Sequence, residues 1–357
     1  MTRSGFPQAT EGDEVFRQLV LARIIEPASK QDSLRVLEEA GAPAPSYPTL
    51  SRRLPAWAQE SWRQGLSEAC AAHARLGPAS LVLYDVSTLY FEADRGDGFR
   101  EPGFSKERRL EPQITIGLLA GQDGFPLMVS AFEGNRAETR TMLPVIEKFM
   151  AARRLPDVTV VADAGMISEA NQQAIEAAGL SFILGMNIPE VPYQVAQWRR
   201  VHPGLAPVRR NRFIALDGAV KCENRELEAR APGLAGLKGY RANLAACPDG
   251  TPVTADFVIG SYHELWYIEK SFRMSKSDLR ARPICHRKRD SIEAHLTIVF
   301  AALAVTRFVE DRTGWSIRKF VRTARRYRTV QIRAGQHILT AEDPLPPDLR
   351  EILALIK

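Results

Sequence analysis

The N-terminal part of the chain has the hydrophobic spacing of helices. Apolar residues recur at three- and four-residue intervals over 15–25, and the pattern resumes over 32–37 after a break at Pro27. A loop with a short basic helix is expected at 47–54, and another helix over 57–76. We therefore predict a helical region without a catalytic constellation, for which DNA binding and simple packing are both open roles.

From residue 80 onward, short apolar runs typical of buried strands replace this spacing. Five strands are predicted, at 80–86, 113–120, 125–132, 158–163 and 181–185. Asp123-Gly124 joins the second strand to the third and is a strong hairpin signal. Helical spacing over 138–153 and 168–178 places helices between the later strands. This β-β-β-α-β-α-β order predicts an α/β fold, a mixed sheet with helices on its faces.

The second half of the chain begins with a different composition. Residues 187–260 contain short strand-like runs, at 212–216, 225–229 and 257–260, among Pro, Gly and charged residues. We interpret them as a β-rich insertion, followed by a long helical region over 262–312 and a terminal hairpin around 329–340. The predicted organisation is a helical N-terminal region (1–78), a sheet domain in two pieces (79–186 and 261–312), the insertion (187–260) and a basic C-terminal tail (313–357).

Composition changes this picture mainly through the distribution of charge. The 357 residues are 45% hydrophobic and 25% charged, as in ordinary soluble proteins, and their number suggests two or three domains. Residues 265–335 hold 17 Lys and Arg against 6 Asp and Glu, a net charge of +11. The whole chain has a net charge of +6, so the remaining residues together have a net charge of −5. Such a basic segment predicts a polyanionic partner, with a solvated basic surface as the alternative.

Cysteine usage and hydropathy favour a cytoplasmic protein. Cys70, Cys222, Cys247 and Cys285 form no Cys-x-x-Cys pair, so we expect neither structural zinc nor a disulfide framework. The first 14 residues have no apolar segment of the kind that a signal peptide needs. The longest apolar run, at 296–305, is shorter than the ~20 residues of a membrane span and predicts a buried helix.

Two of the predicted strands end in a carboxylate. Asp85 and Asp163 each follow a run of mostly apolar residues, and they converge if their strands are neighbours. Two adjacent carboxylates repel each other unless a cation lies between them, and carboxylate oxygens suit Mg²⁺ or Mn²⁺. The alternative is that each acid is an ordinary turn former, which Ala164-Gly165 after Asp163 also fits.

A third acid, Glu269, lies in a helix predicted over 262–280. One face of this helix is apolar, and Glu269 shares another with Arg273, Lys276 and Arg280 at helical spacing. One stripe would then pack on the sheet while the other presents a carboxylate followed by cations. A surface salt bridge between Glu269 and Arg273, worth ~0.2–0.5 kcal/mol, is the alternative.

The segment that contains Glu269 resembles a transposase signature. It reads Tyr262-His-Glu-Leu-Trp-Tyr-Ile-Glu269-Lys-Ser-Phe-Arg-Met-Ser-Lys276 and is similar to Tyr-x2-Arg-x3-Glu-x6-Lys. That signature is found in DDE transposases of bacterial insertion sequences, in the group whose catalytic domain carries a β-rich insertion before the Glu. Leu265 stands where the signature has Arg, a departure that removes one phosphate contact while leaving the metal site alone.

Further stretches resemble the same group and occur in the same order. They are Gly-Phe-Ser-Lys at 103–106, Asp-Gly-Phe-Pro-Leu at 123–127, Phe-Glu-Gly-Asn at 132–135, Val-Ala-Asp-Ala-Gly at 161–165 and Arg-Pro-Ile-Cys-His at 282–286. The likeness covers about residues 80–345. Asp163 lies 78 positions after Asp85, and Glu269 lies 106 positions after Asp163. An insertion before the Glu predicts this wider second gap.

The resemblance implies an RNase H-like catalytic fold and a transposase of a mobile element. It implies double-stranded DNA as the partner, both as transposon ends and as target, with a homodimer in the DNA complex and no membrane. The expected location is the nucleoid-associated cytoplasm. Members of the group usually have a longer N-terminal part, so we expect this chain to be shortened there.

The mechanism implied by the resemblance uses two Mg²⁺ (or Mn²⁺) ions held by Asp85, Asp163 and Glu269. Ions ~3.5–4 Å apart can clamp the attacking and leaving oxygens of an in-line displacement. Asp85 would bridge both ions, and Asp163 and Glu269 would each complete one. A water first cuts at the element end, and the freed 3′-OH then attacks again, so no Ser or Tyr nucleophile is required. This is endonuclease and strand-transfer chemistry.

Several other side chains are expected to bind DNA. They are Tyr262, Arg273, Lys276, Arg280, Asn135 and Lys106. Lys276 would hold a phosphate as a point charge, whereas Tyr262 would contact the backbone, contact a displaced base or simply pack. Six cations over 318–328 would add phosphate contacts or form a solvated face. His286 and His295 are interpreted as satisfied core or helix residues rather than ligands.

Two other functions remain open from the sequence. One is a metal nuclease that uses the same acids but does not join ends. The other is a non-catalytic, shortened transposase copy that binds DNA and inhibits the full-length enzyme. The first predicts nicking without integration products, and the second predicts DNA binding without Mg²⁺-dependent cleavage.

Overall fold

The fold is that of a computed structural model, which describes most of the chain. The described residues are 10, 12–77, 79–92, 95–103, 110–163, 169–186, 197, 214–217, 220–223, 237–327, 329–334 and 336–356.

The described residues of the N-terminal region form four helices, as predicted. They are α1 (Glu14–Ile25), α2 (Lys30–Glu39), α3 (Tyr47–Trp57) and α4 (Glu60–Ala74). Asp13, Ser29 and Ser46 are the N-caps of α1, α2 and α3, and each accepts a hydrogen bond from a backbone N–H of the first turn. These caps set the helix starts.

A mixed six-stranded sheet lies at the centre of the fold. Its strands are β1 (Leu81–Tyr90), β2 (Gln113–Gly121), β3 (Pro126–Glu133), β4 (Thr159–Ala162), β5 (Ser181–Met186) and β8 (Gly239–Ala242). Their spatial order is β3-β2-β1-β4-β5-β8. Strands β2 and β3 continue from β1 as antiparallel neighbours, whereas β4 and β5 run parallel to β1. The predicted mixed α/β sheet is confirmed, and β8 is a sixth strand that the sequence pattern did not predict.

Helices cover both faces of this sheet. Helices α5 (Met142–Arg153) and α6 (Glu169–Ala177) lie between β3 and β5 in the chain, as predicted, and pack with Val82 and Tyr84 on one face. The opposite face, which includes Leu81 and Leu83, packs against the N-terminal helices and the helices that follow β8. The alternation of side chains along β1 thus separates two cores.

The predicted helical region over 262–312 is confirmed, but the single helix predicted over 262–280 is wrong. The structure has α7 (Ala255–His263), α8 (Leu265–Arg273), a π-helical turn (Met274–Asp278) and then α9 (Arg289–Thr313). The predicted strand at 257–260 is also wrong, because these residues lie inside α7, whose N-cap Thr254 accepts a hydrogen bond from the N–H of Phe257. A short apolar run does not distinguish a strand from a buried helix.

Helix α9 is the central helix of the second core. It is long and apolar enough to cross a membrane by length and composition, but its most apolar window is 100% buried inside the fold. Helices α1 and α3 pack along it, and so does β3. It contains the apolar run for which a buried helix was predicted.

The insertion and the C-terminal part are described in pieces. Within 187–260 the structure describes a hairpin of β6 (Ile214–Asp217) and β7 (Val220–Glu223), while the predicted run at 225–229 lies outside the described residues. The predicted terminal hairpin is confirmed as β9 (Thr329–Ala334) and β10 (His337–Glu342). Helices α10 (Ile317–Ala324) and α11 (Pro347–Ile356) flank it.

Candidate active site

The register of three strands places Asp85 beside Asp163. In the parallel pairs, Tyr84 of β1 is opposite Ala162 of β4, and Ala162 is opposite Leu184 of β5. Asp85, Asp163 and Gly185 are the next residues of these three strands. The two aspartates therefore follow matched positions on neighbouring strands, as predicted. The prediction that Asp85 ends its strand is wrong, because β1 continues to Tyr90.

Both aspartates belong to the same face of the sheet. Leu83, two residues before Asp85, and Val161, two residues before Asp163, lie in the core that also contains Ile268 of α8. Side chains two apart on a strand share a face. Asp85 is half-buried and Asp163 is exposed at the strand end. This face is covered by the helix that carries the third predicted acid.

Glu269 lies on α8, which packs against β1. Leu265 and Ile268 of this helix are buried towards the sheet, whereas Glu269 is exposed. The predicted two-sided character of the helix is confirmed up to Arg273, where α8 ends. Leu265, which occupies the position of the signature Arg, is a core residue.

Tyr262 connects the signature segment directly to Asp163. Its hydroxyl donates a hydrogen bond to Oδ1 of Asp163 at 2.6 Å. Its ring lies over Gly185, where a Cβ atom would come within 2.5 Å of the Tyr262 hydroxyl oxygen. Tyr240 of β8 packs edge-on against the same ring, with centroids 4.8 Å apart. Tyr262 is thus held over the strand next to Asp163.

The Asp123-Gly124 turn of the β2–β3 hairpin anchors α8 from its other side. Ser271 Oγ of α8 donates to the carbonyl oxygen of Gly124 at 3.1 Å, and Arg307 of α9 donates to the carbonyl oxygen of Asp123 at 2.8 Å. Gly124 has φ of +78°, and a Cβ atom there would lie 2.5 Å from Cβ of Tyr267. The turn and α8 therefore approach each other as closely as glycine allows.

A family model described as the transposase DDE domain matches residues 77–305. That range is more than half of the 357 residues. The chain belongs to the transposase DDE domain family.

The chain is also similar to solved transposase structures. A piggyBac transposase synaptic complex with hairpin DNA is 13% identical, with a TM-score of 0.45 and coverage of 87% of this chain and 69% of that chain. A Mos1 mariner paired-end complex with Mn is 14% identical, with a TM-score of 0.22 and coverage of 44% and 54%. A Mos1 paired-end complex with the left transposon end is 13% identical, with a TM-score of 0.22 and coverage of 74% and 78%. The search of curated proteins gave no match.

The acids of this DDE domain suit a divalent cation by their chemistry. Carboxylate oxygens are the ligands that Mg²⁺ and Mn²⁺ prefer, and Asp85 and Asp163 follow matched positions on one face. Within the part of the chain that the structure describes, no three His, Cys, Asp or Glu side chains form a group that could hold a metal ion. The predicted trio is therefore placed on one side of the sheet without being gathered into a ligand group.

The cations predicted to share the transposase site take three different positions. Arg273 is exposed at the end of α8. Lys276 lies in the π-helical turn and lines an apolar cavity together with Ser87 of β1 and Phe300 of α9. Arg280 lies beyond the turn with φ of +43°. The prediction that all three extend one helical stripe from Glu269 is wrong, because the π turn and its end change the register after Arg273.

The remaining predicted DNA contacts are only partly described. Asn135 is exposed in the turn after β3. The preceding Gly134 packs against the backbone of Glu101 and Gln113, leaving no room for a Cβ atom. Lys106 lies outside the described residues. The 132–135 motif thus has a packing role at Gly134 and an exposed amide at Asn135.

Sequence reasoning missed an exposed aromatic residue on the helix that carries Glu269. Trp266 is 52% exposed and lies one helical turn before Glu269 and Lys270 on α8. Its ring stacks on Tyr267, with centroids 3.9 Å apart. A large exposed apolar side chain beside a polar site indicates a contact surface. Helical spacing from Glu269 was the signal that could have identified it.

The six cations at 318–328 are not a uniform solvated face. Arg318 pairs with Asp278 at 2.5 Å, and Arg325 pairs with Glu26 at 3.3 Å. The Lys319 ammonium lies 3.9 Å from the centroid of the Trp315 ring. Part of this basic stretch therefore fastens α10 to the turn after α8 and to α1, and Arg328 lies outside the described residues.

Proposed function

We propose that this chain is an active transposase that cuts DNA and transfers the freed strand, with Asp85, Asp163 and Glu269 as its metal-holding acids. The observation that carries the proposal is the strand register, in which Asp85 and Asp163 follow the matched pair Tyr84 and Ala162. Glu269 is on the helix that packs against β1 over the same face. Membership of the transposase DDE domain family supports the same chemistry.

Divalent metal is the cofactor that this donor set fits. Mg²⁺ or Mn²⁺ bound there would polarise the scissile phosphodiester and make water a better nucleophile at neutral pH. Asp85 offers its carboxylate from within a strand, Asp163 from a strand end and Glu269 from a helix. Placing the acids on separate elements lets bound DNA approach between them.

The other residues of the site have supporting roles in this proposal. Tyr262 orients the Asp163 carboxylate through its hydrogen bond. Arg273 and Trp266, both exposed on α8, offer the DNA a cation for phosphate and a flat ring for a base or sugar. Two chains would be needed to hold two transposon ends, so we also propose a homodimer in the DNA complex.

The experiment uses a labelled duplex that carries the terminal DNA of the element encoding this chain. Purified protein is incubated with the duplex and a target plasmid in Mg²⁺, beside Asp85→Asn, Asp163→Asn and Glu269→Gln. Each acid variant is expected to lose cleavage by at least about 100-fold, because the metal contributes several kcal/mol to such a displacement. Glu264→Gln is the matched control, since Glu264 is a carboxylate at the start of the helix that carries Glu269 and accepts a hydrogen bond from Gln122.

The products separate the proposal from the two other functions. Wild-type cleavage with joined target product supports transposition, whereas cleavage without joining identifies a nuclease. Binding without cleavage by any protein would overturn the active-transposase proposal and identify a DNA-binding inhibitor. Cleavage retained in all three acid variants would overturn the assignment of the site.

A further inference from the structure

A pocket away from the acids lies between the N-terminal helices and the start of α9. Its lining residues come from α1, α2, α3, α9 and the loop before α9. They are Leu19, Arg23, Lys30, Ser33, Leu54, His286, Ser291, His295 and Ile298. No acid is present among these described lining residues, although four of them are basic.

The two permanent cations of the pocket lack acidic partners within the described part of the chain. Arg23, partly buried on α1, makes no hydrogen bond or ion pair with any described residue, and neither does Lys30. Acids on the same elements are engaged elsewhere: Glu26 pairs with Arg35 and Arg325, and Glu293 pairs with Arg63 at 2.6 Å. Partly buried cations without a counter-ion are costly to a fold.

Two histidines line the pocket beside these cations. His286 and His295 have ring centroids 5.2 Å apart, and Nε2 of His295 lies 3.1 Å from the carbonyl oxygen of Ala281. Burial, together with the charges of Lys30 and Arg23, lowers the pKa of His286 to about 4. Burial also lowers the pKa of His295. Both rings are therefore neutral at pH 7.

We propose that this pocket binds a phosphate group of the DNA backbone. Arg23 and Lys30 supply charged donors, and Ser291 supplies a hydroxyl from the first turn of α9, where the helix dipole also favours an anion. Taking DNA as the source of the phosphate rests on the proposed function.

The surface beside the pocket favours polymeric phosphate over a single free ion. Arg287, Lys288 and Arg289 follow His286 directly and are all exposed. Arg289 is held over the Phe99 ring at 4.5 Å from its centroid. These three cations follow the pocket residue His286 directly in the chain, and Arg289 lies 3.7 Å from Glu293. Together with Arg23 and Lys30 they exceed what one phosphate can neutralise. A DNA strand whose neighbouring phosphates lie along this run would use both.

The test measures DNA affinity in metal-free buffer, where no cleavage occurs. Fluorescence anisotropy over a range of salt concentrations compares the wild type with Arg23→Gln and Lys30→Gln. Each variant is expected to bind roughly 5- to 20-fold more weakly on every duplex sequence, with the salt slope reduced by about 1. Arg17→Gln is the matched control, because Arg17 lies on the same helix but pairs with Glu14 at 3.0 Å. Unchanged affinity and slope in both pocket variants would overturn the proposal.

Thermal unfolding supplies a second readout that does not need DNA. Removing an unpaired, partly buried cation should stabilise the free protein, so Arg23→Met is expected to raise Tm in phosphate-free buffer. Inorganic phosphate should raise the Tm of the wild type but not that of Arg23→Met. A phosphate effect without any change in DNA affinity would overturn DNA as the source.

The outcome for the pocket is independent of the outcome for the acids. Weaker DNA binding by the pocket variants, together with no cleavage by the wild type, would support the pocket and reject the active transposase. Cleavage by the wild type, together with full DNA affinity in the pocket variants, would support the active transposase and reject the pocket.

Discussion

The hydroxyl of Tyr262 donates a hydrogen bond to Oδ1 of Asp163 at 2.6 Å, so the first residue of the signature segment touches the second predicted acid. The contact joins α7 to the end of β4 across the neighbouring strand β5. Gly185 makes it possible, because any larger residue at that position would occupy the space of the Tyr262 ring. A tyrosine that resembled a DNA contact in sequence is, in the structure, hydrogen-bonded to a predicted metal-holding carboxylate, and the proposed function gives it a positioning role.

Tyr262→Phe tests this positioning role. Removing the hydroxyl should lower Mn²⁺ affinity and the cleavage rate by about 10- to 100-fold, the usual effect of losing a hydrogen bond that orients a metal ligand. DNA affinity in metal-free buffer should stay within about twofold. Isothermal titration with Mn²⁺ and anisotropy with DNA separate the two effects. A loss of DNA affinity with unchanged Mn²⁺ binding would show that Tyr262 is a DNA contact instead.

Gly185→Ala should reproduce that defect without touching either partner. The added Cβ atom would lie 2.5 Å from the Tyr262 hydroxyl oxygen, so the ring must move and its hydrogen bond to Asp163 should weaken. In a double-mutant cycle, Gly185→Ala and Tyr262→Phe should be strongly non-additive for Mn²⁺ affinity, because both remove the same contact. Gly260→Ala on α7 is the control, since a Cβ atom there meets nothing within 4 Å. Additive effects would contradict the proposed linkage.

The strand core of the fold was predictable because its signals are local. The apolar runs that end at Asp85 and Asp163 each reach the length of a strand, and the Asp123-Gly124 turn specifies its own hairpin. Because β1 and β4 are parallel neighbours, Asp85 and Asp163 then lie close together, and no further sequence signal is needed to predict this. What the pattern could not show is which residues lie opposite each other, and that register places Gly185 beside Asp163.

The helical half was predicted less well because its breaks depend on tertiary contacts. The apolar spacing from Leu265 to Leu279 fits one helix, yet the chain turns through a π-helical segment after Arg273. Lys276 is thereby directed into an apolar cavity beside Ser87. The short strand β8 was missed because it joins the sheet edge from within the predicted insertion, at a sequence distance that periodicity does not detect.

Gly124→Ala should destabilise the fold through the anchoring of α8. Gly124 has φ of +78°, and the new Cβ atom would lie 2.5 Å from Cβ of Tyr267. Backbone strain and steric overlap together should lower the free energy of unfolding by about 2–4 kcal/mol. Gly250→Ala separates the two causes, because Gly250 has φ of +82° but open space around it. Chemical denaturation measures both, and equal losses would show that the contact with Tyr267 contributes nothing.

His286 should make stability depend on pH in a defined direction. Its pKa is about 4 in the folded chain against 6.5 ordinarily, through burial first and then the charges of Lys30 and Arg23. The unfolded chain therefore takes up a proton more readily, and the free energy of unfolding falls as pH drops from about 6.5 towards 4. A shift of this size corresponds to at most about 3 kcal/mol. Denaturant unfolding at pH 7 and pH 4.5 should show a smaller loss for His286→Gln than for the wild type.

The pH dependence that remains in His286→Gln then comes from His295, because burial lowers the pKa of His295 as well. His263→Gln is the control, because His263 is exposed at the end of α7 and lies outside the pocket. Phosphate should reduce the loss at low pH in the wild type, since a bound anion favours the protonated rings. If His286→Gln shows the same pH dependence as the wild type, the imidazole of His286 does not experience the buried, positively charged surroundings on which the pocket depends.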